Sequence, residues 1–203
     1  QTVRVEVDRR LASLWFGFTI APKGWTLPDA WDAIAGDYAA RDGWIKLHTN
    51  APHHKQAALS ALGCGADREA VAAAVAERSA EELESAIVAE GGCAAVLRSR
   101  SEWQEHSQGR SVIAEPLIHW EQASHDIPSA WKPTIDRPLA GLRVLDLTRI
   151  LAGPVATRFL AGFGADVLRI DPLEWDEPAI APDVTLGKRC ARLDLHHQPD
   201  RAK

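Results

Sequence analysis

Residues 141–171 read GLRVLDLTRILAGPVATRFLAGFGADVLRID, and this stretch decides the fold. The first strand of this stretch is apolar and β-branched around Val144, as a buried strand requires. Pro154 is expected at a first helical position, where a missing N–H costs nothing because that donor has no intrahelical partner. Val155, Phe159, Leu160 and Phe163 recur at helical spacing and predict one apolar stripe against a sheet. Gly164 then stops the helix, and Val167 to Ile170 reads as a second buried strand. The unit is strand, helix, strand with parallel strands. Ligands of such sheets bind outside the carboxyl ends of the strands, here Thr148 to Gly153 and the stretch after Ile170.

Working outward, the segment 127–138 carries Pro128, Pro133 and Pro138 among Ser129, Thr134 and Asp136, a composition that fits an extended connector. Upstream, residues 1–126 are expected to form a small α+β domain. Leu27 to Ala40 reads as a helix, Trp44 to Thr49 as a strand, and His53 to Leu62 as a helix stopped by Gly63. Asp67 caps a helix to Arg78 that aligns Val71 and Val75, and Ser79 with Glu82 forms a capping box for the next, ending at Gly91-Gly92. Ala94 to Leu97 and Leu117 to Glu121 read as strands, with a short helix over Ser101 to His106 between them. Downstream, 139–203 is expected to be the start of a Rossmann-like parallel-sheet domain, with a further strand at Ala191 to Leu195. The fold class is therefore α/β.

A formal net charge of −5 over 203 residues argues against nucleic acid or an anionic membrane as the main partner. The longest apolar runs, such as Leu11 to Ile20, are too short to span a bilayer, and the amino terminus has no signal-peptide layout, so a cytoplasmic protein is expected. Cys64, Cys93 and Cys190 are widely spaced and indicate neither a disulfide framework nor a zinc site. His53-His54 reads as a solvated pair at a helix start, and no metal site is expected. The eight tryptophans are scattered and read as core and interface packing. The absence of Met and the stop shortly after a strand suggest a fragment, because one such unit cannot close a doubly wound sheet.

Asp171, at the end of the second strand, stands where a dinucleotide fold places its ribose-binding acid. The Gly-x-Gly-x-x-Gly turn is missing, since Gly153 is followed by Pro154 and Val155. The helix start at 153–155 still offers free N–H groups and a positive dipole end to an anionic ligand. Asp146, inside the first strand, reads as a structural hydrogen-bonding carboxylate.

Four segments in order, PLAGLRVLDLT from Pro138 to Thr148, LAGP from Leu151, GADVLRID from Gly164 and GKRCARLDL from Gly187, resemble the opening of family III CoA-transferases. This is the family of formyl-CoA transferase, carnitine CoA-transferase and bile-acid-inducible protein F. Asp42 to His48, the helix near Ala80 to Ala89 and the strand after Gly91 look more faintly like that family's small domain, here placed before the large one. The resemblance implies an interlocked homodimer that moves CoA from an acyl-CoA donor to a carboxylic acid acceptor. Catalysis would run through an aspartyl-CoA thioester, with the catalytic Asp downstream of Lys203 and residues 1–203 alone inactive; no catalytic residue is assigned within them.

CoA contacts carry over to Leu151 and Ala152 in the first turn and to Leu193, Asp194, Leu195 and His196 after the Lys-Arg motif. Several members have Gln where this chain has Leu151 and Arg where it has Pro172, so two polar contacts are lost. Lys188, Arg189 or Arg169 either compensates with positive charge toward the CoA phosphates or is a solvated surface group. An α-methylacyl-CoA racemase using His and Asp, or a non-catalytic protein of the same fold, are the alternatives.

Overall fold

The computed structural model describes residues 6–14, 20–121 and 131–202. Parts of the expected connector and of the Leu11 to Ile20 run lie outside them. The chain divides into two compact units, one of residues 29–123 and one of 1–28 with 124–203.

The 29–123 unit is built on a hairpin. Strand β1 (Gly36–Ala40) and strand β2 (Gly43–Leu47) pair antiparallel around Arg41-Asp42, with Tyr38 opposite Ile45, and β3 (Ala94–Val96) pairs antiparallel with β2. The helix expected over Leu27 to Ala40 is not formed, and its last five residues are β1. Two contacts decide this. Gly36 takes φ 151°, with the Arg68 guanidinium so close that a Cβ would lie 2.8 Å from Nη2, and Arg68 itself donates to the carbonyls of Ala33 and Ala35. The Tyr38 hydroxyl donates to Ile34 O at 2.8 Å, so both residues enter the core in a non-helical turn.

Four helices follow from local signals. α2 (Pro52–Leu62) ends on Gly63 at φ 66°, the left-handed cap that Gly adopts without a Cβ penalty. α3 (Arg68–Ala76) is capped by the Asp67 carboxylate, which accepts from Glu69 N and Ala70 N. α4 (Ala80–Ala89) has both halves of the Ser79–Glu82 capping box. α5 (Arg100–Glu105) has a second such box at Ser99 and Glu102, and α6 (Ser107–Ala114) continues after it. Ile34, Ile45, Leu47, Ala58, Val71, Val75, Leu83 and Ile87 close one core between α2, α3, α4 and the sheet. The strand expected over Leu117 to Glu121 is absent, since Leu117 is fully exposed and finds no ladder to join. Ser79→Ala is expected to lower stability by about 1 kcal/mol by freeing the Glu82 N–H, read as a shift in denaturant midpoint.

The second unit holds a short helix α1 (Arg9–Leu14) and a parallel sheet. β4 (Arg143–Asp146), β5 (Asp166–Asp171) and β6 (Arg189–Arg192) run parallel in that order, with Asp146 beside Arg169 and Asp171 beside Arg192. α7 (Ala152–Gly162) crosses from β4 to β5, and Gly164 at φ 103° turns the chain into β5. Short helices α8 (Ala181–Val184) and α9 (Gln198–Arg201) flank β6 in sequence. Pro154 occupies the third helical position and not the first, because α7 starts at Ala152; an N–H there would also have lacked an intrahelical partner. The expected α7 stripe is rotated. Pro154 and Arg158 are buried, whereas Phe159 and Phe163 are 47% and 42% exposed with rings 4.7 Å apart. A polar network takes the place of the apolar stripe on the covered side.

Candidate functional site

Because the three strands are parallel, Asp146, Asp171 and Arg192 end on one edge of the sheet. The turns that follow them form the candidate site, and the first two are each held by a buried charge.

Under the first turn lies Asp146, 1% exposed. It accepts from Thr148 N at 3.0 Å, Thr148 Oγ1 at 2.5 Å, Thr157 Oγ1 at 2.6 Å and Lys188 Nζ at 2.8 Å. Burial alone would raise its pKa, but the bonds from Lys188, Thr148 and Thr157 outweigh it and hold the carboxyl well below the usual range. Lys188 is equally buried and also donates to Pro154 O, at 2.8 Å; its own burial pulls the ammonium pKa down against the attraction of Asp146. Thr148, fixed in this way, closes on the start of α7: a Cβ on Gly153 would lie 2.3 Å from Thr148 Cβ. Gly153→Ala is therefore expected to push Thr148 off Asp146 and cost about 1–3 kcal/mol, seen as a lower thermal midpoint.

The second turn is anchored by Arg169, whose side chain is 2% exposed. Its Nε and Nη2 grip Asp171, and Nη2 also donates to Glu177 Oε2 at 2.7 Å. Burial would lower the pKa of this guanidinium, and the two carboxylates raise it further than burial lowers it. Glu177 reaches back to the first turn, accepting from Ile150 N at 2.5 Å. Ile150 has φ 68°, a left-handed conformation that costs a β-branched residue on the order of 1–3 kcal/mol and persists only where surroundings impose it. A further pair, Arg158 Nη1 on Asp183 Oδ2 at 2.7 Å, ties α7 to α8.

Leu151 is the residue before α7, 58% exposed and offering no side-chain cap, and Ala152 is the exposed first helical residue. Leu193, Asp194, Leu195 and His196 form the turn after β6, in which Asp194 Oδ1 accepts from His196 N at 2.9 Å. Both groups lie on the carboxyl edge, with β5 between them. Beside them opens a cleft of about 360 Å³ lined by Arg169, Asp171, Trp175, Glu177, Cys190 and Arg192 among others.

The positive charges expected to face the CoA phosphates are placed otherwise. Lys188 and Arg169 are spent in buried ion pairs, and are neither solvated nor free. Arg189 is 70% exposed, but it pairs with Asp166 at the amino end of β5, away from the carboxyl edge. The structural role expected of Asp146 is what the geometry shows. Glu177 escaped the sequence reading; the visible signal for the Asp146 pairing was an acid inside an apolar strand, which demands a partner, whereas nothing local marks Glu177.

In the other unit, His54 is half-buried against His53, at 4.2 Å between ring centroids, and burial followed by the His53 and His48 rings lowers its pKa. It is not the solvated side chain expected. Among the described residues no group of three or more His, Cys, Asp or Glu could hold a metal ion, and no helix is long and apolar enough to cross a membrane.

Residues 139–203 match the profile of CoA-transferase family III. They are a CoA-transferase family III segment. An acyl-CoA transferase of Gibberella moniliformis is 33% identical over 175 residues, covering 79% of this chain and 31% of that protein. A match of that extent is longer than the family III segment and reaches beyond it into the rest of the chain. An acetyl-coenzyme A transferase, NodX, of Hypoxylon pulicicidum is 43% identical over 84 residues, 37% of this chain and 14% of that protein. The succinyl-CoA:glutarate CoA-transferase of Mus musculus is 41% identical over 56 residues, 24% of this chain and 13% of that protein. The chain thus spans about a third or less of the length of these curated relatives.

Proposed function

We propose that the family III segment is the CoA-binding opening of an acyl-CoA:carboxylate CoA-transferase. The observation that carries this reading is the start of α7. Its first N–H groups have no side-chain cap, it sits at the carboxyl edge of a parallel sheet, and it belongs to the segment that matches the family. The dipole and free donors of a helix start suit an anionic group such as a CoA phosphate. Leu151 and Ala152 would contact the cofactor from the first turn, and Leu193, Asp194, Leu195 and His196 from the third. With Lys188 and Arg169 withdrawn into ion pairs, backbone donors carry more of the phosphate recognition than side-chain cations do.

The chemistry proposed for the whole protein uses an aspartate downstream of Lys203. Its carboxylate attacks the acyl thioester and expels CoA thiolate, leaving a mixed anhydride. The thiolate attacks the aspartyl carbonyl of the anhydride, releasing the donor acid and forming an aspartyl-CoA thioester, which the acceptor carboxylate opens in turn. Each step exchanges one activated acyl group for another, so no step is steeply uphill. The chain to Lys203 binds CoA in this reading without turning it over, and a cytoplasmic, interlocked homodimer is part of the same proposal.

Calorimetric titration of the chain with CoA tests the binding half: saturable heat with one site per chain is expected, and no heat at millimolar CoA defeats the proposal. Incubating the protein extended past Lys203 with acyl-CoA and hydroxylamine tests the chemistry. An aspartyl hydroxamate found by mass spectrometry is the transferase outcome; a racemase leaves none.

A further inference from the structure

We propose that Glu177 is a positioning residue that holds the turn between β4 and α7 in its ligand-competent shape by fixing Ile150 in the left-handed conformation. The functional part rests on the CoA-binding reading above; the structural part stands without it.

Three observations carry it. Ile150 is the one non-glycine residue at positive φ among the described residues, and it immediately precedes Leu151, the residue on which α7 starts to wind at Ala152. A β-branched residue does not adopt that conformation by preference, so something must impose it. Glu177 Oε1 accepts the Ile150 N–H at 2.5 Å, from a side chain only 6% exposed.

Neutralising Arg169 does not by itself account for Glu177. Asp171 already meets that guanidinium through both Nε and Nη2, so a second buried carboxylate leaves the cluster one negative charge in excess. A donor beyond Arg169 is needed to hold that charge, and the Ile150 amide is the donor present. The same stretch grips the turn a second time, since the Arg149 guanidinium lies 5.1 Å from the centroid of the Trp175 ring. On the opposite side Thr148 is pinned by Asp146. The turn is thus clamped at 148, 149 and 150. With the Ile150 N–H taken, the N–H groups of Ala152 and Gly153 remain for the ligand, aimed by the backbone angle at Ile150.

The experiment is a double-mutant cycle on the full chain, with Glu177→Gln, Ile150→Gly and their combination. Gln is nearly isosteric and leaves Asp171 on Arg169, but its amide cannot accept from Ile150 and Arg169 at once. Gly adopts φ 68° without help. Glu177→Gln is expected to weaken CoA binding about tenfold and lower the thermal midpoint by about 4 °C, and both losses are expected to shrink at least threefold in the Ile150→Gly background. Equal losses in the two backgrounds would overturn the proposal, because Glu177 would then act on Arg169 alone. If the midpoints couple while neither wild type nor Ile150→Gly binds CoA, the clamp stands and the CoA reading falls. Ile150→Gly alone poses the question without touching the buried cluster. It should leave the midpoint level or higher, and a fall of more than about 3 °C would count against imposed strain at this position.

Discussion

Lys188→Met is expected to destabilise the parallel sheet by about 3–5 kcal/mol, the cost of leaving one partner of a buried ion pair alone. Lys188 and Asp146 are both fully enclosed, and Lys188 Nζ also satisfies Pro154 O and Thr157 Oγ1. Met fills much of the volume while removing all three bonds, so the loss is electrostatic in origin and not one of packing. Adding Asp146→Asn to Lys188→Met should recover much of it, because two neutral side chains need no charge compensation. Denaturant midpoints of the four proteins decide the matter; a single-mutant loss below about 1 kcal/mol would show that the pair is not buried as described.

The same pair makes the wild-type sheet acid-labile. The folded pKa of Asp146 is depressed, so its contribution is present above the ordinary carboxylate value of about 4 and is lost as pH falls below it. In Lys188→Met the depression is smaller, and the acid limb of the stability curve should flatten.

Arg169→Met is expected to be at least as damaging, again about 3–5 kcal/mol or more, because it strands two carboxylates, Asp171 and Glu177, in place of one. Glu177 is only 6% exposed and would keep a single backbone donor at Ile150. Arg169→Lys should rescue only in part, since an ammonium cannot reproduce the guanidinium fork that meets Asp171 through Nε and Nη2. The effect should spread to the ligand edge, because Glu177 without Arg169 no longer has a fixed position from which to hold Ile150. Hydrogen exchange at the 148–153 amides checks this, and unchanged protection there would separate the Arg169 cluster from the turn.

The elements legible in the sequence are those whose signals are local. The Ser79–Glu82 box, the Asp67 cap and the Gly63 stop each depend on groups within four residues, and each appears where read. The β4, α7, β5 unit was legible for the same reason, with apolar strands either side of a glycine-bounded helix. The misreadings share an opposite cause. Residues 36–40 read as the end of a helix, yet Tyr38 and Ile45 pair across the hairpin and Arg68 closes on Gly36 from 32 positions away, contacts that reach beyond one helical turn. The α7 face was misassigned because Lys188 enters beneath Pro154 and Thr157 from 34 and 31 positions away.

From the chain of residues alone came the fold class and the family of the 139–203 segment, because motif spacing and apolar periodicity are properties of neighbours. Tertiary structure decided which charges are buried in ion pairs and which stay in water. Lys188, Arg169 and Glu177 look like ordinary surface residues in a string of letters, and only packing shows that all three are dehydrated. A charge taken out of water must find a partner, and here those partners are Asp146, Asp171 and the Ile150 amide, which together set the shape of the candidate site.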